Sequence, residues 1–248
     1  MSWTLNHGSC LDAATGLARL ADKSVDVTIS DPPYEAEAHT KQRRTRGVTV
    51  GSSRTIEAAE LNFAAITEAE RDAVAVQLAR VTKRWVLVFC QVEGAPKWAA
   101  ALERSGLQYV RTMIWVKPDG QPQLTGDRPG MGYESIVVAH RPGRKRWNGG
   151  GKLGVFTYSK ADPNGKPPHP TTKPQPLMRE LVSLFSDPGE LVLDPFAGSG
   201  STGVACNALG RNFIGWELSA EYYEIARRRL NGDEAKPRFE QPGLFDAL

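Results

Sequence analysis

Residues 191–209 constrain the fold more tightly than any other stretch. Leu191-Val192-Leu193-Asp194 is a short apolar run ending in an acid. Pro195-Phe196-Ala197 turns the chain, and Gly198-Ser199-Gly200-Ser201-Thr202-Gly203 opens a helical pattern running through Leu209. A short apolar run bounded by turn residues reads as a strand buried on both faces. The glycines let the backbone approach a ligand closely at a helix N-terminus, where N–H groups favour anions. Such a strand–loop–helix unit belongs in an open α/β sheet, whose ligands bind beyond the carboxyl ends of the strands. The next apolar run, Asn212 to Trp216, ends in Glu217, an acid placed to accept bonds from two ribose hydroxyls.

A second strand end carries different chemistry. Val25 to Ser30 is apolar and β-branched, and it runs into Asp31-Pro32-Pro33-Tyr34. The prolines fix φ and hold their predecessors extended, so the loop is stiff. It delivers a carboxylate, rigid carbonyls and an aromatic ring to the sheet edge. An exocyclic amine on a nucleobase is a poor nucleophile because its lone pair is delocalised into the ring. Asp31 and a loop carbonyl, that of Pro32 for instance, can each accept one N–H of such an amine. That draws the nitrogen towards sp³ and aims its lone pair at a methyl donor. Tyr34 can stack on the base, which must leave the duplex to reach the loop. The same four residues also make an ordinary turn signal.

The remaining pattern alternates strands and helices. Trp3 to His7, Trp85 to Cys90, Tyr109 to Val116 and Tyr133 to Ala139 read as strands. Leu11 to Leu20, Thr67 to Val81, Glu93 to Ser105 and Gln175 to Phe185 read as helices. Thr67 and Glu70 form a capping box, and Ala69, Ala73, Val76 and Leu78 supply the apolar positions of that helix. With Val25–Ser30, Leu191–Asp194 and Asn212–Trp216 this predicts seven strands. The expected fold is α/β and doubly wound: a mostly parallel, seven-stranded sheet with one antiparallel strand and helices on both faces. A chain of 248 residues with 40% apolar content is enough for one such domain. Its catalytic half falls at about 1–140, a basic loop region at 141–170 and a ligand-binding half at 171–232.

Two stretches break the pattern. Glu35 to Ser53 is polar and clusters Lys41, Arg43, Arg44 and Arg46. Arg141 to Pro170 opens with Arg144, Lys145, Arg146 and Trp147. Both begin at or near the functional edge of the sheet in this reading. Both suit phosphate contact, and Trp147 suits stacking; a solvated face is the plain alternative. Lys plus Arg outnumber Asp plus Glu by 31 to 28, too little by itself to demand a nucleic-acid partner.

Several chemistries are disfavoured. Cys10, Cys90 and Cys206 are far apart, which suggests neither a metal site nor a disulfide framework and fits a reducing cytoplasm. No Pro-Cys dipeptide is present, so attack at carbon-5 of cytosine has no obvious thiolate. Ser201 lacks the spacing of a hydrolase nucleophile, and no Gly-Lys-Ser/Thr completes a P-loop. No charged-then-apolar leader and no run of membrane-spanning length occur, so a soluble protein is expected.

Taken in order, these motifs resemble the S-adenosylmethionine-dependent amino-methyltransferases of DNA, which modify adenine N6 or cytosine N4. More narrowly, the chain resembles their small, permuted β-class, often carried by phages and prophages, in which the catalytic loop precedes the glycine loop. The resemblance spans Leu5 to Leu230. It implies a Rossmann-like methyltransferase fold and S-adenosyl-L-methionine as cofactor, with DNA as partner and no metal. It implies that the Thr171 and Lys173 side chains hold the cofactor carboxylate, that Asp194 takes its ammonium group and Glu217 its ribose. Phe196, Gly198, Gly200, Ser201 and Thr202 would form its loop, with Gly8-Ser9-Cys10 and Trp216 beside its adenine. Ser9 stands where relatives usually carry Asp. The family tends to place Ser before Pro-Pro for cytosine, so Asp31 favours adenine. Cytosine N4 remains the runner-up. Gly198, Gly200 and Gly203 also spell a dinucleotide fingerprint, which leaves an oxidoreductase open alongside a non-enzymatic DNA-binding module. A homodimer, a restriction partner and the recognition sequence are not specified by the residues.

Overall fold

The computed structural model describes residues 2–34, 65–120, 129–160 and 172–233. Within them the chain forms strands β1 (Trp3–His7), β2 (Val25–Ser30), β3 (Thr82–Cys90), β4 (Gln108–Val116), β5 (Tyr133–His140), β6 (Val155–Thr157), β7 (Leu191–Asp194) and β8 (Asn212–Glu217). The helices are α1 (Glu68–Val81), α2 (Ala95–Arg104), α3 (Gln175–Phe185), α4 (Ser201–Leu209) and α5 (Ala220–Asn231). The strands join one sheet of eight, ordered β1-β8-β7-β2-β3-β5-β4-β6. All neighbours pair in parallel except at β5, which runs against both β3 and β4. The expected seven strands are all present. The eighth, β6, is three residues long and shows no period in the sequence.

Alternation along the central strands builds two cores. On β3, Trp85, Leu87 and Phe89 enter one cluster with Leu181 and Phe185 of α3, Ala205 of α4 and Leu230 of α5. Val86, Val88 and Cys90 enter the other, with Val74 and Leu78 of α1 and Trp98 and Leu102 of α2. Period-two side chains on a strand covered by helices on both sides produce this division. Of the four apolar positions expected for α1, only Leu78 is buried. The helix docks on Val74, Ala75, Leu78, Ala79 and Val81, leaving Val76 52% exposed. Alanines read alike on either side of the stripe and do not fix its direction. The capping box is present: Thr67 Oγ1 accepts from Glu70 N–H, and Glu70 Oε2 accepts from Thr67 N–H at 2.9 Å.

The helix expected over Leu11–Leu20 is instead a series of turns, with a single 3-10 turn at Leu17–Arg19. The Asp12 carboxylate explains this by accepting from the N–H groups of Ala14 and Thr15 and from the Thr15 hydroxyl. Such local side-chain bonds compete with the helical ladder.

Two strand ends meet at the reversal of strand order. From β7 the chain continues to β8 on one side, and from β2 to β3 on the other, while β2 and β7 lie side by side. The carboxyl ends of these two strands carry Asp194 and Asp31. This is the position at which open α/β sheets bind ligands. Because β5 is reversed, its first residues, not its last, also reach this edge.

Candidate active site

The glycine loop after β7 is held from four directions. Asp194, 3% exposed, accepts from Phe196 N–H through Oδ1 at 3.1 Å and from the Thr202 hydroxyl through Oδ2 at 2.6 Å. Glu217 at the end of β8 accepts from Gly198 N–H at 2.8 Å and from Ser219 N–H at 2.7 Å. Arg229 of α5 donates to the carbonyl of Ser199 at 2.7 Å, and Gln175 of α3 donates to the carbonyl of Ser201 at 3.0 Å. Gly198 and Gly200 take φ of 53° and 83°, the left-handed region that glycine occupies without strain. A side chain at Gly203 would collide with Phe213 and Leu230, so α4 packs closely on β8 and α5.

These bonds set the charge states. Burial pushes the Asp194 carboxyl up to about 7, against the pull of its Thr202 and Phe196 bonds, and nearby Asp31 and Glu217 add to the rise. Burial also raises Glu217, opposed by its backbone bonds. Among the described residues, a Cβ placed on Gly198 would meet only the Phe196 carbonyl, at 4.0 Å, and Leu218, beside Glu217, is 72% exposed. An open approach to the loop, an apolar side chain and an acid at adjacent strand ends fit a nucleoside bearing an amino-acid tail.

Other expected members lie beside this loop with different roles. Trp216 is buried, and its Nε1 donates to the Thr15 carbonyl at 3.0 Å, tying down the turns after β1. Cys10 is buried in the same cluster, and burial pushes its thiol up to about 12, so it is unreactive. The Ser9 hydroxyl accepts from Leu11 N–H at 3.2 Å and is exposed.

Beyond β2, Asp31, Tyr34 and Lys173 converge. Lys173 precedes α3, and its Nζ donates to Asp31 Oδ2 at 2.6 Å. It lies 3.3 Å from Glu134 Oε2 and 3.5 Å from the Tyr34 hydroxyl. Lys117, just past β4, pairs with Glu134 Oε1. Burial works to raise Glu134, but the ammoniums of Lys173 and Lys117 outweigh it and hold the carboxyl at about 2. Burial raises Asp31 above its ordinary value, with Lys173 pulling the other way. Burial, and then the charges of Glu134 and Asp31, push the Tyr34 hydroxyl well up. Asp31 Oδ1 is buried and has no partner among the described residues.

Glu134 and Lys117 escape sequence reasoning. Their one signal is a charge at each end of the β4–β5 connection, which becomes informative only once β5 is known to start at this edge. The resemblance implies a cofactor carboxylate for Lys173; here it faces Asp31 and Glu134. Thr171, Lys41, Arg43, Arg44 and Arg46 lie outside the described residues. The ends of the stretch carrying the latter four do meet at the site, where Ile66 N–H donates to the Tyr34 carbonyl at 3.3 Å.

The second basic cluster is displaced. It does not start at the edge that carries Asp31, as the residue order suggests, because it follows the reversed strand β5 and so begins at the opposite, amino edge. Arg146 pairs with Asp187 at 2.6 Å, and its carbonyl accepts from Trp85 Nε1 at 2.5 Å. Lys145 donates to Gln108, the first residue of β4, and Trp147 packs edge-on against Phe185 with ring centres 4.9 Å apart. Arg144 is exposed on the same segment. Trp85 and Cys90 lie five strand positions apart, roughly 17 Å. Arg144, Lys145, Arg146 and Trp147 therefore do not flank Asp31.

No described helix is long and apolar enough to cross a membrane, and no group of metal-ligating side chains occurs among the described residues. In the comparison with known proteins, the sequence profile of the N6/N4 DNA methylases matches residues 25–228. Type II methyltransferase M.HinfI of Haemophilus influenzae is 26% identical over 254 residues, covering 94% of this chain and 69% of that protein. Type II methyltransferase M2.DpnII of Streptococcus pneumoniae is 32% identical over 149 residues, covering 54% of this chain and 55% of that protein. The chain thus spans only about half of some of its curated relatives. The crystal structure of an M1.HpyAVI–SAM complex shares the fold with a TM-score of 0.68 at 24% identity, over 92% of this chain and 99% of that one. PvuII DNA methyltransferase, described as cytosine-N4-specific, superposes with a TM-score of 0.64 at 16% identity over 94% of each chain. With the profile covering both strand-end motifs and the loops between them, the chain belongs to the N6/N4 DNA methylase family.

Proposed function

We propose that this protein transfers a methyl group from S-adenosyl-L-methionine to N6 of adenine in DNA, acting on a base swung out of the duplex. The observation that carries the reading is Asp31 Oδ1, a buried acceptor without a partner among the described residues, at the strand end next to the glycine loop. S-adenosylmethionine, when bound, supplies an electrophilic methyl on a sulfonium. Glu217 has lone pairs left for ribose hydroxyls after its two backbone bonds, and Leu218 offers an apolar surface to a purine. The carboxyl groups of Asp194 and its neighbours suit an ammonium group, whose charge would favour the Asp194 anion against the rise that burial imposes. No metal enters this reading.

On the target side, Asp31 Oδ1 accepts one amine N–H and the Pro32 carbonyl the other, while Pro33 stiffens the turn and Tyr34 stacks on the base. Holding the amine with its lone pair aimed at the methyl group supplies most of the rate by proximity and alignment. The Lys41–Arg46 cluster, which follows Tyr34 in the sequence, is proposed to supply phosphate contacts.

Adenine rests on Asp31, since a carboxylate precedes Pro-Pro. The second reading is cytosine N4, and the likeness to a cytosine-N4-specific enzyme keeps it in view. Mass analysis of nucleosides from treated DNA separates them: N6-methyldeoxyadenosine is expected. N4-methyldeoxycytidine in its place would establish the second reading, and neither product would overturn both. Asp31→Ala should abolish the product while leaving affinity for S-adenosylhomocysteine within a few fold.

A further inference from the structure

Three buried or nearly buried charges and the partly buried Asp31 converge on the target loop from four separate parts of the chain. Asp31 follows β2, Lys117 follows β4, Glu134 lies near the start of β5, and Lys173 precedes α3. Two ammoniums face two carboxylates, so the group is neutral overall. Burying charges costs several kcal/mol per ion before pairing returns any of it, so such a quartet is weak evidence of stabilisation alone.

We infer that Lys173 is a positioning residue for the target amine: it occupies Oδ2 of Asp31, with Glu134 and Lys117 as counterweights, so that the amine meets Oδ1 alone. The inference rests on the target-side reading given above. A lysine ammonium has three N–H donors and no acceptor. Around Lys173 Nζ stand three oxygens: Asp31 Oδ2 at 2.6 Å, Glu134 Oε2 at 3.3 Å and the Tyr34 hydroxyl at 3.5 Å. The rings of Phe89 and Tyr34 lie 5.1 and 5.7 Å from the same nitrogen, and the side chain is only 10% exposed. The bond to Asp31 Oδ2 is the short one; the contact with Glu134 Oε2, which has no hydrogen-bond partner among the described residues, is an ion pair by distance. The Lys173 ammonium is thus committed first to Asp31, whereas the resemblance implies a cofactor carboxylate for it.

The arrangement also fixes which carboxylate stays ionised. Glu134 pairs with two ammoniums, whereas Asp31 pairs with one, feels Lys117 at longer range, and faces Glu134, Tyr34 and, at the end of the neighbouring strand β7, Asp194. Lys173 favours the Asp31 anion and Glu134 opposes it. Removing each should therefore move Asp31 in opposite directions. A quartet that only staples four elements together would carry no such signature at the target loop.

The test is a carbon-13 NMR titration of the Asp31 carboxyl in the protein alone, for wild type, K173M, K173R and E134Q. It is paired with calorimetric affinity for S-adenosylhomocysteine and the pH dependence of single-turnover methyl transfer. K173M should raise the Asp31 titration by about one pH unit or more and E134Q should lower it, as charge partners within reach of a carboxylate do. The acid limb of methyl transfer should move with each, K173R should return it towards wild type, and cofactor-product affinity should stay within about threefold, under 1 kcal/mol. A tenfold or greater loss of that affinity in K173M, with Asp31 unmoved, would assign Lys173 to the cofactor and overturn the inference. Shifts of the same sign in both variants would overturn it too. If K173M does not fold, the downward shift in E134Q, or its absence, decides. Absence of methylated DNA with wild type would refute the proposed function, while the NMR titration would still judge the quartet.

Discussion

Replacing Asp194 with asparagine should change how stability depends on pH more than it changes stability itself. The Asp194 carboxyl is 3% exposed and is pushed from its ordinary 3.8 up to about 7, chiefly by burial. The folded state therefore keeps a proton that the unfolded chain has released. This contribution to stability is complete below pH 3.8 and is lost as the pH rises through about 7. At roughly 1.4 kcal/mol per pH unit, the whole loss is on the order of 4 kcal/mol. The asparagine would not titrate. Its amide oxygen can accept from Phe196 N–H, and its NH₂ can donate to the Thr202 hydroxyl, so one altered bond should cost about 1 kcal/mol. The variant should be less stable than wild type near pH 4 and at least as stable near pH 8, roughly the span over which a proton is retained only on folding. Urea unfolding followed by tryptophan fluorescence across that range gives both curves, and their difference removes groups common to the two proteins. Parallel profiles would refute the reasoning, because they would mean that Asp194 is ionised alike in both states. An ammonium group bound beside Asp194 favours its anion, so S-adenosylhomocysteine should bind wild type more tightly as pH rises towards neutrality and should bind Asp194→Asn without that trend.

Three further outcomes are expected. Glu217→Ala removes the acceptor for Gly198 N–H as well as the proposed ribose acceptor, so calorimetric affinity for S-adenosylhomocysteine should fall by about 1–3 kcal/mol; unchanged affinity would place the nucleoside elsewhere. Neutralising Arg43, Arg44 and Arg46 should flatten the log–log salt dependence of duplex binding by about one unit for each phosphate no longer neutralised. Neutralising Arg144, Lys145 and Arg146 should leave that slope unaltered, because this cluster sits at the amino edge. Equal flattening by both triple variants would show that DNA reaches around the sheet to the far edge.

Much of the architecture was legible in residue order. Apolar runs ending in Asp194, Glu217 and Asp31 located three strand ends that carry acids, because such runs are bounded by turn or cap residues: Pro-Pro after Asp31, Pro195 and the glycines after Asp194, and Ser219 after Glu217. Local signals of this kind act within a few residues, and so the Thr67–Glu70 capping box and the glycine loop are read correctly from sequence. They do not specify how an amphipathic segment is rotated or which end of a strand faces the site. Leu11–Leu20 has helical spacing, yet the Asp12 side chain diverts it into turns. Ala69, Ala73 and Val76 mimic a buried stripe that packing places one side over. The direction of β5 has the widest consequences. One reversed strand brings Glu134 to Lys173 and Asp31, and carries Arg144–Trp147 to the opposite edge. Both results depend on pairing between strands far apart in sequence, at Cys90–Ser135 and Trp85–His140. That register is decided by the buried faces of the assembled sheet, so Asp31, the proposed catalytic acid, could be singled out from the sequence while the lysine beside it could be placed only by the tertiary structure.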